Sequence, residues 1–123
     1  MKKLFFVFLI FICVGALSAQ EPMMSFDKTS HDFGKIKMSE IVSVDFTIKN
    51  IGKTPLFLSE PRSTCGCTVA SYPKEPIMPG QSSKITVTFE PEKEGPFTKQ
   101  ITIFSNAENS PVTLIIKGEV IKS

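Results

Sequence analysis

From Val42 to Lys49 the chain alternates without a break. Val42, Val44, Phe46 and Ile48 are apolar, and Ser43, Asp45, Thr47 and Lys49 between them are polar. Successive side chains of a strand point to opposite faces, so a period of two makes one face apolar and one wet. Such a strand belongs to an antiparallel sheet with one face packed on a core and the other in water. The pattern recurs. Ile85, Val87 and Phe89 alternate with Lys84, Thr86, Thr88 and Glu90. Phe97, Ile101 and Ile103 form the inward row of a further strand, with Lys99 at its edge or end. Val112, Leu114, Ile116 and Val120 face in on the last strand, against Thr113, Lys117 and Glu119.

Shorter segments fill the intervals. Ser25-Phe26-Asp27 and His31-Asp32-Phe33-Gly34 read as a broken first strand that Gly34 bends or ends. Leu56-Phe57-Leu58 and Thr68-Val69-Ala70 read as short strands. Asn50 to Pro55 is a turn, with Asn50 and Gly52 suited to positive φ. Tyr72 to Gly80 contains Pro73, Pro76 and Pro79, so it is expected to be an extended loop without a ladder role. Met78-Pro79-Gly80-Gln81 fits a type II turn, proline at its first corner and glycine at its second. About seven antiparallel strands, with turn signals every eight to twelve residues or so, predict an all-β, immunoglobulin-like β-sandwich. There is no Trp, and the cysteines are not spaced to join two sheets, so the core must close by aliphatic and Phe packing.

The first nineteen residues obey other rules. Lys2 and Lys3 precede an apolar run from Leu4 to Ala16, and Leu17-Ser18-Ala19 supplies small residues before the chain turns polar. This is the pattern of a secretory signal peptide over residues 1–19, with one domain over 20–123 and no membrane span after cleavage. Cys13 lies inside the apolar run and is expected to leave with it. Without Lys2 and Lys3, twelve basic and twelve acidic side chains remain. A neutral, interspersed surface offers no footprint for nucleic acid or anionic membrane. The expected place is the periplasm, the cell surface or the outside medium, as a monomer whose partner is another envelope protein.

Export implies an oxidising compartment, where thiols pair or bind metal. The remaining cysteines are Cys65 and Cys67, either side of Gly66. In an extended strand their Cα atoms would lie about 6.6 Å apart on one face, near the limit for a disulfide, and Gly66 would help close the gap. Four readings stay open: a local disulfide, thiol exchange with a thioredoxin-like protein, soft-metal binding of Cu(I) or Zn, and intermolecular pairing. Arg62 and Lys74 are candidates to hold a thiolate. His31 is the single histidine and the candidate third metal ligand. Met23, Met24, Met38 and Met78 are scattered and read as core or loop filler. No triad, phosphate loop or paired carboxylates stand out, so enzyme chemistry is not expected. Phe57, Phe104 and Ile115 fall opposite the core rows of their strands and are candidates for an exposed apolar partner surface. The sheet edges offer strand addition as a second binding mode.

Several motifs resemble those of a known family. Phe26 to Ile36 resembles its opening motif, and Phe46 to Gly52 with Pro55-Leu56 its second. Cys65-Gly66-Cys67-Thr68, Ile77 to Gly80 and Ser105-Asn106-Ala107 complete the likeness. Together they are similar to the DUF1573 family of exported bacterial proteins, common in the Bacteroidetes, and through it to immunoglobulin-like domains of ciliary and sperm-tail proteins. The resemblance covers essentially the whole chain after residue 19. It implies the fold, export, and pairing of Cys65 with Cys67 as a hallmark. It implies no activity. Where members often carry a second glycine-centred turn, this chain has Lys93-Glu94-Gly95-Pro96.

Overall fold

Each long alternating run forms a long strand in the computed structural model, which describes residues 21–122. The expected signal peptide, with Cys13, lies outside the described residues. The strands are β1 Met24–Phe26, β2 Ser30–Lys37, β3 Val42–Asn50, β4 Arg62–Ser63, β5 Thr68–Ser71, β6 Ser82–Phe89, β7 Gly95–Ile103 and β8 Val112–Ile121. They form two four-stranded sheets, ordered β1-β3-β6-β5 and β2-β8-β7-β4. The described residues contain no helix, and so none long and apolar enough to cross a membrane. The architecture is the immunoglobulin-like sandwich that the alternation predicts.

The inward rows close the core. Phe46, Ile48, Ile85, Val87 and Phe89 from one sheet meet Phe97, Ile101, Ile103, Leu114, Ile116 and Val120 from the other, all buried. Burying such a side chain stabilises the fold by roughly 1.5–3 kcal/mol. Phe89 and Phe97 stack across the gap with ring centres 4.2 Å apart. The Phe97 ring lies over Gly118, where an added Cβ would come within 2.9 Å of it.

Several expectations are corrected. The strands number eight, and β2 runs parallel to β8 rather than antiparallel. The break at Asp27 splits the expected first strand in two and sends β2 to the other sheet, while β4 replaces Leu56-Phe57-Leu58 in the count. Asp27 Oδ1 accepts from the N–H groups of Lys28 and Thr47, at 2.8 and 2.9 Å, which ends β1 beside β3. The chain then crosses to the other sheet and enters it alongside β8. Gly34, at φ 72°, makes a bulge between Asp32 and Lys35 but does not end β2.

Leu56-Phe57-Leu58 is not a strand. Leu56 bridges Ile77 while Leu58 bridges Ser105, so the two bonded residues answer to different segments and no ladder builds up. Ile77 thereby gains a pairing role within the supposedly ladder-free loop, exchanging both backbone hydrogen bonds with Leu56 at 2.9 Å.

Asn50 does not adopt positive φ, and neither does Gly52. Asn50 ends β3 pointing inward, fully buried. Its amide donates to the carbonyls of Thr54 and Ile77 at 2.8 and 2.9 Å, and its Oδ1 accepts from Gly52 N–H at 2.9 Å. Gly52 is needed for close approach: an added Cβ would sit 2.6 Å from Pro22 Cα and 2.7 Å from Met23 N. The turn at Met78 to Gln81 is as expected, with Gly80 at φ 84° and Gln81 N–H donating to Met78 O at 2.9 Å.

Candidate functional site

Between β4 and β5 the chain changes sheets. Arg62 and Ser63 pair with Thr102 and Ile101 of β7, and Thr64 N–H donates to Gln100 O at 3.2 Å. Three residues later Thr68 pairs with Phe89 of β6, in the other sheet. Cys65-Gly66-Cys67 spans the gap, and its two sulfurs lie at disulfide distance, with Cα atoms 5.3 Å apart. That is shorter than the extended spacing because the segment turns. Gly66 has negative φ, and nothing lies within 4 Å of where its Cβ would be, so the turn does not depend on glycine there.

Both ends of the turn are anchored. Ser63 Oγ reaches the carbonyls of Cys65 and Thr68 at 2.9 and 3.0 Å. Glu90 N–H donates to Cys67 O at 2.9 Å. The two sulfurs have unequal surroundings. Cys67 is only 7% exposed and joins the core, whereas Cys65 is half-buried. Cys65 lines a hollow of about 290 Å³ with Glu60, Pro61, Ser63, Val69 and Ala70. Cys67 lines a separate crevice of about 280 Å³, floored by Phe89, Phe97 and Val120 and flanked by Lys93, Lys99 and Glu92. Thr68, 4% exposed, places its Oγ1 3.7 Å from Cys65 Sγ and 3.9 Å from Cys67 Sγ. Disulfide sulfurs carry no proton, so the hydroxyl is the donor in these contacts.

The structure separates the candidate metal ligands. His31 is on β2, at the opposite edge of its sheet from β4, which leads into Cys65. Three inter-strand spacings put them about 14 Å apart. The two cysteine sulfurs lie at disulfide distance from each other, and among the described residues no group of three His, Cys, Asp or Glu side chains is placed to hold a metal ion. His31 Nδ1 instead lies 3.2 Å from Lys28 Nζ. Its burial, and then the Lys28 charge, hold its pKa below the usual value, against the pull of Asp32.

Arg62 and Lys74 also serve elsewhere. The Arg62 guanidinium sits 5.8 Å from the centre of the Phe104 ring, and the Lys74 ammonium 4.2 Å from that of Tyr72. The lysines that share a crevice with Cys67 are Lys93 and Lys99. Lys99 is on the inward row of β7, at the level where β4 has ended and β7 becomes the sheet edge.

Of the apolar candidates, Phe57 is 52% exposed, while Phe104 and Ile115 are half-buried. The Leu58–Ser105 bridge makes Phe57 and Phe104 diagonal neighbours. Ile115 pairs with Gln100, four residues back along the β7 line from Phe104, or about 13 Å away. The alternation missed Val69, which at 64% is the most exposed large apolar side chain among the described residues. Only its place on edge strand β5 marks it out.

Comparison with solved structures gives the same fold. A protein of unknown function from Porphyromonas gingivalis W83 superposes with a TM-score of 0.73 at 24% identity, over 87% of this chain and 51% of that one. The chain thus spans about half the length of that protein. The human CEP192 ASH/PapD-like domain 7 matches with a TM-score of 0.67 at 15% identity, over 84% and 88% of the two chains. The Pseudomonas aeruginosa CupB2 chaperone matches with a TM-score of 0.54 at 12% identity, over 80% and 56%. Comparison with curated proteins gives no match. The family model "Protein of unknown function (DUF1573)" matches residues 24–120, which is most of the chain. The chain therefore belongs to the DUF1573 family.

Proposed function

We propose that this protein is an exported, non-enzymatic binding module of the periplasm or cell surface that takes an extended segment of another envelope protein onto β5. The observation that carries the reading is the β5 edge beyond Thr68, whose own outward groups are taken up by Ser63 Oγ and Cys65 O. Exposed edges invite pairing with other chains and are normally blunted by shortness, bulges, lysine or proline. The other edges are blunted. β1 has three residues; β2 has the Gly34 bulge with Lys35 and Lys37; the stretch of β7 beyond β4 has Pro96 and Lys99. β5, Thr-Val-Ala-Ser, is also short at four residues, but it carries no bulge, lysine or proline and leaves Val69 exposed.

The backbone suits strand addition. The Glu90–Cys67 bond marks a hydrogen-bonded pair of the β5–β6 ladder, so Val69 and Ser71 bond inward to β6 and Ala70 turns its N–H and C=O outward. The hollow beside Cys65 lies along that edge. Two structural neighbours are chaperones, in keeping with a protein partner.

The test is a photo-crosslinking amino acid at Val69, in cells exporting the full chain, with the same group at Lys117 as control. A defined adduct at Val69, absent at Lys117 and lost on Ala70→Pro, supports strand addition. Equal adducts at both positions, or capture unaffected by Ala70→Pro, defeats it. The mass of the envelope form tests export: it should begin after Ala19.

A further inference from the structure

The Cys65–Cys67 bridge closes only one intervening residue, and such a small loop contributes little to stability through chain entropy. Its two flanks are already held by the Thr64–Gln100 and Glu90–Cys67 hydrogen bonds. The bridge thus adds little to the sandwich through chain entropy, and its two sulfurs are placed quite differently. We propose that it is a polarised thiol-exchange site, in which a dithiol protein attacks Cys65 and Cys67 is the sulfur that leaves. It uses the same Cys65 hollow as partner binding at β5 but does not require a strand to be bound there.

Disulfide exchange needs a thiolate approaching one sulfur in line with the bond, and a second sulfur able to depart with the electron pair. Cys65 borders the outer hollow, flanked by the small side chains of Ser63 and Ala70. Cys67 is buried and borders the other crevice, beside Lys93 and Lys99. Entry is therefore easier at Cys65. Attack at Cys65 makes Cys67 the departing sulfur; its burial disfavours a thiolate, and Lys93 and Lys99, which line its crevice with Glu92, offset that. The buried Thr68 hydroxyl contacts both sulfurs. A bond from it strengthens as the leaving sulfur gains charge.

The partner thiolate forms a new S–S bond to Cys65 Sγ. The Cys65–Cys67 bond breaks, and its electron pair leaves on Cys67 Sγ, which takes a proton from water. The partner's second thiolate then attacks the partner's own sulfur and frees Cys65, which is protonated in turn. The partner dithiol ends oxidised to a disulfide, and this bridge ends reduced by two electrons and two protons. Thr68 acts as a positioning residue throughout.

The experiment uses the full exported chain, purified without reductant, with reduced glutathione as the attacking thiol. Samples are quenched in acid, alkylated, and mapped by tandem mass spectrometry, while far-ultraviolet dichroism follows the fold. Glutathione on Cys65 and alkylation on Cys67, in protein that keeps its sheet spectrum, is the expected result. Thr68→Val should slow opening roughly tenfold and Thr68→Ser should restore it, the loss of one hydrogen bond to a charged group. Glutathione found on Cys67 as often as on Cys65 overturns the proposal. So does opening only at denaturant concentrations that unfold the chain, or a Thr68→Val rate equal to wild type. If Thr68→Val does not fold, the wild-type mapping decides alone.

Discussion

Replacing Asn50 by alanine tests whether one buried amide ties the end of β3 to three other segments. The side chain is fully buried and makes three good hydrogen bonds, to Thr54 O, Ile77 O and Gly52 N–H. A fourth contact, from Met23 N–H, is weak at 3.4 Å. Each intramolecular hydrogen bond is worth about 1 kcal/mol net, and partners left without one in the interior cost more. Asn50→Ala should therefore cost about 3–4 kcal/mol, which in a domain of this size lowers Tm by about 15–25 °C. Urea and thermal unfolding followed by far-ultraviolet dichroism give both numbers. Asn50→Asp separates hydrogen bonding from volume, since it keeps the acceptor for Gly52 but turns an oxygen toward the Thr54 and Ile77 carbonyls. Burial and those carbonyls would raise the Asp carboxyl's pKa in the folded state, so the folded state would bind the proton more tightly. Asn50→Asp should thus be most stable near and below about pH 3.9 and lose stability as pH rises toward 7. A cost below about 1 kcal/mol for Asn50→Ala, or no pH slope in Asn50→Asp, would refute the hub role.

Other outcomes follow from the same structure. Gly52→Ala should destabilise by about 2 kcal/mol or more, read as a lower urea midpoint, because its Cβ meets the Pro22–Met23 backbone and the Glu21 carbonyl. Gly66→Ala should cost less than about 0.5 kcal/mol and leave the disulfide intact by mass, since its Cβ points into open space at negative φ. For His31 the folded pKa is depressed, so the unfolded chain binds the proton first and the stability His31 contributes is present above its ordinary value of 6.5. That contribution should fade as pH falls below 6.5, and His31→Gln should flatten the urea midpoint over this window.

The core was legible because period-two alternation is a local property. Phe46, Ile85, Ile101 and Leu114 are fully buried where their runs place them. Asn50 was misread because a polar residue beside glycine has the local look of a turn. Its role depends on Ile77, 27 residues away. The cysteine pair was visible in sequence, but its neighbours were not. Arg62 and Lys74 are close in sequence and turn to aromatic rings, whereas Lys93 and Lys99 arrive from β7 and the turn before it.

By itself, then, the order of residues determined two facing sheets and a sulfur pair at a break between strands. Each of these needs only neighbours within a few positions. The tertiary structure decided that β2 runs with β8, that β5 is left at an edge, and that Cys67 is buried while Cys65 borders open space. Those outcomes depend on which strands lie side by side, and pairing across long loops leaves no periodic trace in the chain.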